Sequence, residues 1–249
     1  MQSKQCDLLI IGGGIAGLRA ALYAAPLCHT ILLTKTRIGE GQSATSKAQG
    51  GIAAAINQPK DSPRYHYQDT IAAGAGLCDP KSVKVLVEDG VARVKELIGM
   101  GAKFDKGEAG FELTIEGAHR QRRILHAGDT TGEEIERALG RSVIEQGQTD
   151  IMPLTFAKEL TTNNGKVIGA IAIKDNEPIM ITAKATLIAT GGLGQVYLYT
   201  TNPIAATGDG IAMAYRAGAQ VMDMEFVQFH PTSLVQFKKL EDIIALPQF

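Results

Sequence analysis

The sequence predicts an α/β fold, in which helices cover a parallel sheet and an antiparallel β-meander is inserted into that sheet. Three observations predict it. An apolar run, Cys6–Ile11, passes directly into Gly12-Gly13-Gly14-Ile15-Ala16-Gly17 and then into a small-residue helical stretch, Ile15–Ala25. A second apolar run, Thr30–Lys35, follows that helix. From Asp150 onward the helical period gives way to short runs separated by turn residues.

The first strand is short and, apart from Asp7, apolar, as a parallel strand covered on both faces should be. Gly12, Gly14 and Gly17 keep the G-x-G-x-x-G spacing. Gly12 permits the tight turn and Gly14 lets the backbone approach a pyrophosphate. Gly17 lets the helix pack closely on the strand, with the phosphates at its positive N-terminus. A bare spacing of this kind is compatible with a plain glycine-rich turn. With the strand before it and the helix after it, it points to dinucleotide binding and a Rossmann-like domain.

Bulk properties narrow the class. At 249 residues the chain makes one large domain, or one domain with a small appendage. The formal charge of -1 leaves no basic field, so nucleic acid is not an expected partner. The three cysteines, Cys6, Cys28 and Cys78, are widely spaced. They read as buried structural thiols of a reducing compartment, and no metal-ligand spacing is present. No run reaches the roughly 18 apolar residues of a membrane span. The N-terminus lacks a signal-peptide layout, and a cytoplasmic protein is expected.

Thr30–Lys35 reads as the second parallel strand. A carboxylate is expected near its end to accept from ribose hydroxyls. Lys35 stands there instead and offers only donors, suited to a ribose oxygen or a phosphate. Residues 36–56 are small and polar, like a linker, but end in the apolar Ala48-Gln49-Gly50-Gly51-Ile52-Ala53. Close approach of backbone to a ligand explains that composition better, so a cofactor-lining loop is expected. Tyr65–Ala73 is a candidate helix. Asp79-Pro80 opens another, with Val83, Val87, Val91, Val94 and Ile98 marking its buried face and Gly99 and Gly101 its end.

The segment from Leu113 to Gly132 gathers a glutamate, two histidines and three arginines ahead of a helix starting near Thr131. It is either a solvated charged loop or a site where guanidinium groups recognise an anionic substrate. Ile151–Thr161 is expected as one strand, and Asn163-Asn164-Gly165-Lys166 as its turn. Val167–Lys174, the turn Asp175–Pro178 and Ile179–Thr182 complete the meander. Ala185–Gly192 is then expected as a separate strand that rejoins the parallel sheet. Thr207-Gly208-Asp209-Gly210 opens a last helix, with Asp209 either a helix-cap carboxylate or a ligand to a hydroxylated group. His230 lies among apolar residues, where a satisfied core histidine is the plain alternative to a functional one.

Together these motifs resemble the succinate dehydrogenase/fumarate reductase flavoprotein superfamily. The resemblance is carried by Gly12–Gly17, Thr34-Lys35, Ala48–Ile52, Ala189-Thr190-Gly191-Gly192, Thr207–Gly210 and Gln228-Phe229-His230-Pro231-Thr232. It runs from residue 5 to about 234. Within the superfamily the chain is most similar to the L-aspartate oxidases, through Glu116-Gly117-Ala118-His119-Arg120-Gln121-Arg122-Arg123-Ile124-Leu125-His126-Ala127. Ala118 and Arg120 depart from that family's run.

The resemblance implies FAD as cofactor and oxidation of L-aspartate to iminoaspartate, the first step of NAD biosynthesis. Oxygen or fumarate would be the acceptor and quinolinate synthase a partner. Gly12, Gly13, Gly14, Ile15, Ala16 and Gly17 would cradle the pyrophosphate, and Lys35 would sit near the adenosine ribose. Ser43, Ala44, Thr45, Ser46, Lys47, Ala48, Gln49, Gly50 and Gly51 would line the ribityl chain and ring. Phe156 and Ala157 would meet the adenine, while Gly191 and Asp209 would face the cofactor. Ala44 stands where respiratory succinate dehydrogenases carry a flavin-linking histidine, which implies non-covalent FAD. Gln228 and His230 would hold the substrate carboxylate, and Glu116 its ammonium.

The resemblance also implies that the arginine base and the capping domain lie beyond Phe249. The expected layout is an FAD-binding domain over 1–234 and a divergent tail over 235–249, a portion of a longer enzyme that is inactive or weak alone. Two other readings stay open. One is a flavoprotein subunit of a fumarate reductase or succinate dehydrogenase with an iron–sulfur partner at the membrane; the other is a non-catalytic FAD-binding fragment.

Overall fold

The computed structural model describes residues 2–57, 59–108 and 110–229. The tail 235–249 and His230 therefore lie outside the described residues. Strand β1 (Gln2–Ile11) leads into helix α1 (Ile15–Ala24) and then β2 (Thr30–Leu33). A short strand β3 (Ile52–Ala53) precedes the helices α2 (Pro63–Ala73) and α3 (Pro80–Gly99). Four short strands follow: β4 (Lys106–Gly107), β5 (Gly110–Phe111), β6 (Leu113–Thr114) and β7 (Ile124–Leu125). Helix α4 (Thr131–Gln146) then precedes β8 (Thr149–Met152), β9 (Thr155–Asn163), β10 (Lys166–Lys174), β11 (Glu177–Ile188) and α5 (Asp209–Arg216).

The main sheet has the order β8-β2-β1-β11-β10-β9. Its first four strands are parallel, and β10 and β9 join antiparallel. Leu9, Ile10 and Ile11 are all buried although their side chains alternate in direction. Leu9 and Ile11 pack with Ile31, Leu33, Ile181 and Met213 of α5. Ile10 packs on the other face with Leu18, Ala21, Ile135, Leu139 and Val94 from α1, α4 and α3. Coverage of both faces is what requires a continuously apolar strand.

The helix starts follow their sequence signals. Asp79 caps α3 by accepting from the Lys81 N–H at 3.0 Å, and Pro80 takes the first turn, where no N–H is needed. Its inner face is Val83, Val87, Val94 and Leu97, whereas Val91 and Ile98 are half-buried. Asn164 and Gly165 both have positive φ, the mirror-image turn that matches strand twist in a two-residue hairpin. Asp175 and Asn176 make the second such turn.

Two strand expectations change. Ile151–Thr161 is not one strand: Pro153 and Leu154, the latter at φ 54°, form a turn between β8 and β9. Proline removes a ladder donor, so the chain leaves the sheet at one edge and re-enters at the other. Ile179–Thr182 and Ala185–Ile188 are instead one strand, β11. It pairs parallel with β1 from Gln2↔Ile179 to Ile11↔Ile188, and antiparallel with β10 through its first half. The meander is thus spliced into the parallel sheet by a single strand. Of the three cysteines only Cys6 is buried, and burial pushes its thiol up to about 11. Cys28 and Cys78 are half-buried. Among the described residues, no helix is long and apolar enough to cross a membrane.

Candidate functional site

A cavity of about 560 Å³ opens at the carboxyl ends of β1, β2 and β11. Open α/β sheets place ligands at that edge, and the volume suits a cofactor-sized molecule. Gly12–Ala16, Leu33–Thr36 and Gln42–Thr45 line it. Thr155–Ala157, Ile188–Gly192 and the first turns of α5 close the remaining walls.

The glycine turn does what its spacing predicts. Gly12 has φ 119°, and a Cβ there would collide with the Ala189 carbonyl on β11's exit. A Cβ on Gly17 would strike the Gly12 carbonyl itself, so helix and strand approach too closely for any side chain. Gly14 caps α1 without a side-chain bond, and the helix has no acidic residue in its first turn. Its positive end therefore faces the cavity uncompensated, which favours an anion there. One N–H is already engaged: Ile15 donates to the Thr45 hydroxyl at 3.0 Å. Glycine backbone, helix end and volume together fit the pyrophosphate of a dinucleotide.

Lys35 lines the cavity, but its ammonium is occupied within the protein. Nζ donates to Asp209 Oδ2 at 2.6 Å, Ala205 O at 2.6 Å and Thr207 Oγ1 at 2.8 Å. Asp209 is not the helix cap, a position held by Gly208, and it lines the cavity wall. Burial raises its carboxyl pKa, but the bonds from Lys35 and Thr207 outweigh this and leave it below the usual carboxylate value. Phe156, Ala157 and Gly191 also face this cavity.

Ser43, Ala44 and Thr45 line the cavity, whereas Ser46, Lys47, Ala48, Gln49, Gly50 and Gly51 run on beyond it. That continuation reaches the charged segment. β3, just after Gly51, pairs with β7, which pairs with β6. A Cβ on Gly51 would lie 2.7 Å from His126 Cε1. His126 Nε2 lies 2.8 Å from Thr114 Oγ1 and 3.4 Å from Glu116 Oε1. The Glu116 side chain is 47% exposed. Glu116 and Gln228 are not among the lining residues of the cavity, and Gln228 is exposed.

Within the charged segment the arginines divide. Arg123 is fully buried, forks onto Asp61 at 2.8 and 2.9 Å, and reaches Asp69 at 2.7 Å. Arg120 Nε donates to Asp69 at 2.5 Å. These two guanidinium groups are therefore spent on internal carboxylates, whereas Arg122 is exposed. Arg120 and Arg123 pin the base of the turn that carries Glu116 to α2 and the loop before it. Asp61, Asp69 and the α4 residues Gly132 and Glu136 belong to no motif that marks them in the sequence.

The FAD binding domain family model matches residues 7–246. The chain belongs to that family. It is 48% identical over 239 residues to the chloroplastic L-aspartate oxidase 2-b of Nicotiana tabacum, covering 93% of this chain and 36% of that protein. It is 45% identical to the L-aspartate oxidase of Streptomyces coelicolor, covering 92% of this chain and 40% of that one. A quinol fumarate reductase structure from E. coli superposes with TM-score 0.88 at 36% identity, covering 94% of this chain and 40% of that chain. This family member thus spans about two fifths of the length of the relatives it matches.

Proposed function

We propose that the chain is the cofactor-holding part of an FAD-dependent L-aspartate oxidase, which converts L-aspartate to iminoaspartate and opens NAD biosynthesis. The observation that carries the reading is the exposed carboxylate of Glu116, on a segment joined through β7 and β3 to the cavity-lining loop. A carboxylate is the natural acceptor for an amino acid's ammonium, and a plain dicarboxylate does not need one. The likeness to plant and bacterial aspartate oxidases supports the same choice.

When bound, FAD supplies the two-electron oxidant for the substrate Cα. Gly13, Gly14 and Ala16 would present backbone N–H groups to its pyrophosphate, and Ser43, Thr45, Phe156, Ala157, Gly191 and Asp209 would enclose the rest. Ala44 offers no imidazole for a covalent link, so the cofactor is held non-covalently. Glu116 accepts from the substrate ammonium and Gln228 donates to its carboxylate, with His230 as a further donor. Oxygen or fumarate takes the electrons, and quinolinate synthase, in the same cytoplasmic compartment, takes the product.

The second reading, the flavoprotein subunit of a fumarate reductase, is favoured by the superposition on the E. coli enzyme. Acid precipitation and anaerobic titration of the purified protein separate the two. The expected result is flavin released into the supernatant on acid precipitation and, in a separate sample of the native protein, flavin bleached by L-aspartate, slowly in this portion alone and fully in the whole enzyme. Flavin retained in the pellet, or bleached by succinate alone, would overturn it. Bound flavin that neither substrate bleaches would leave a binding domain without catalysis.

A further inference from the structure

We propose that Glu136 is a positioning residue for the cofactor: it clasps the loop of residues 39–48 that forms one wall of the cavity, and so sets how tightly FAD is held. The inference rests on the family's FAD binding, not on the choice of aspartate as substrate. Glu136 is 3% exposed. A buried carboxylate is costly unless its oxygens are hydrogen-bonded, and both of these oxygens turn to the loop. Oε1 accepts from the Gly39 N–H at 3.3 Å, and Oε2 accepts a short bond from the Ser43 hydroxyl.

The clasp reaches the cavity through Ser43. Its Oγ accepts from the Ser46 N–H at 3.0 Å, and the Ser46 hydroxyl returns to the Ser43 carbonyl at 2.8 Å. That folds the turn in which Ala44 and Thr45 face the cavity and Thr45 meets the head of α1. One turn earlier on α4, the Gly132 N–H donates to the Ala48 carbonyl at 2.9 Å. A Cβ on Gly132 would collide with the Thr45 carbonyl and lie 2.9 Å from Ala48 Cβ. The first turns of α4 therefore grip the loop at both ends.

The glycines at its start make the loop costly to order. Gly39 and Gly41 both sit at positive φ, and a glycine-bearing segment loses the most conformational entropy when fixed. Charge-assisted bonds donated to a buried carboxylate are among the stronger ways to offset that loss. Removing the clasp leaves the glycine turn and α1 intact but frees the wall opposite them.

Two variants test this. Ser43→Ala removes the loop partner without touching the α4 core, and Glu136→Gln keeps the shape while removing the charge. Flavin fluorescence gives the FAD affinity of the chain, and tryptic cleavage after the exposed Lys47 reports opening of the loop without FAD. Each variant should weaken FAD about tenfold to hundredfold, the range for one or two charge-assisted bonds, and accelerate cleavage after Lys47. The double variant should bind no more weakly than Glu136→Gln, because the two side chains act as one unit. Unchanged affinity and cleavage in Ser43→Ala, or strictly additive losses, would overturn the proposal. So would a wild-type chain that takes up no FAD, an outcome that leaves the substrate question to the bleaching experiment.

Discussion

Lys35 Nζ and Asp209 Oδ2 stand 2.6 Å apart, joining the end of β2 to the first turn of α5 across the cavity wall. The dinucleotide pattern expects a carboxylate at the position of Lys35. Here the carboxylate arrives 174 residues later and is neutralised by the lysine that replaced it. The pair is about one-third and one-quarter exposed, so its worth is on the order of 1 kcal/mol. A double-mutant cycle of Lys35→Met and Asp209→Asn in urea unfolding should return a coupling near that size. Because the Asp209 carboxyl sits below its usual 3.8, that stabilisation is present above this value and is lost as pH falls below it. A coupling that stays constant down to strong acid would deny the ion pair.

His66 gives the protein a second pH response at milder acidity. Burial lowers its pKa below the usual 6.5, and Arg123 and His119 add to this against Asp61 and Asp69. Its Nδ1 is buried without a partner. The unfolded chain then binds the proton first, so stability is full above 6.5 and falls as pH drops through and below it. The urea midpoint should fall between about pH 7.5 and about pH 5.5, and His66→Phe should flatten that fall. Equal slopes in both proteins would assign the response elsewhere.

Gly17→Ala tests the close approach of α1 to the end of β1. The added methyl meets the backbone carbonyl of Gly12, which cannot rotate aside as a side chain would. Overpacking of this kind costs about 1–3 kcal/mol or more, so the variant should lose stability and FAD binding together. Ala16→Gly, at the same helix end, should lose far less affinity. If Gly17→Ala binds FAD as the wild type does, helix and strand have room that the structure denies them.

What the sequence revealed was local. The strand-turn-helix at Gly12, the Asp79-Pro80 helix start and the Asn164-Gly165 turn are written in adjacent residues, and the structure reproduces each. β11 was not legible because its continuity is decided by β1, which pairs with it from end to end. The Pro153 break was available in the sequence but lay within Ile151–Thr161, a run that otherwise reads as one strand.

The site divides the same way. The cavity-lining stretch around Ser43 was legible, but its clasp on α4 was not, since a helical glutamate ordinarily marks a solvated face. One signal was present: Gly132, Ile135, Glu136, Leu139 and Val143 recur at helical spacing, so Glu136 lies inside the apolar stripe. The partners of Arg123 lie 54 and 62 residues away, and no local pattern announces them.

Arg123 supports the last prediction. Its guanidinium is fully enclosed, and so are Asp61 and Asp69, with 2% and 5% side-chain exposure. Forming such a cluster gains little over apolar packing, because three charges must be taken from water. Breaking it is another matter. Asp61→Ala leaves a buried guanidinium with half its fork unpaired, which should cost about 3–5 kcal/mol in urea unfolding. Asp61→Ala combined with Arg123→Met should cost clearly less than the sum of the two single changes, because the stranded charge is gone. The turn carrying Glu116 hangs from this cluster through Arg120 and Arg123. Asp61→Ala should therefore also speed tryptic cleavage at the exposed Arg120 and Arg122, and Arg123→Met, which removes the attachment itself, should do so at least as much. Additive stability losses, with no change in cleavage, would reduce the cluster to a solvated charge group.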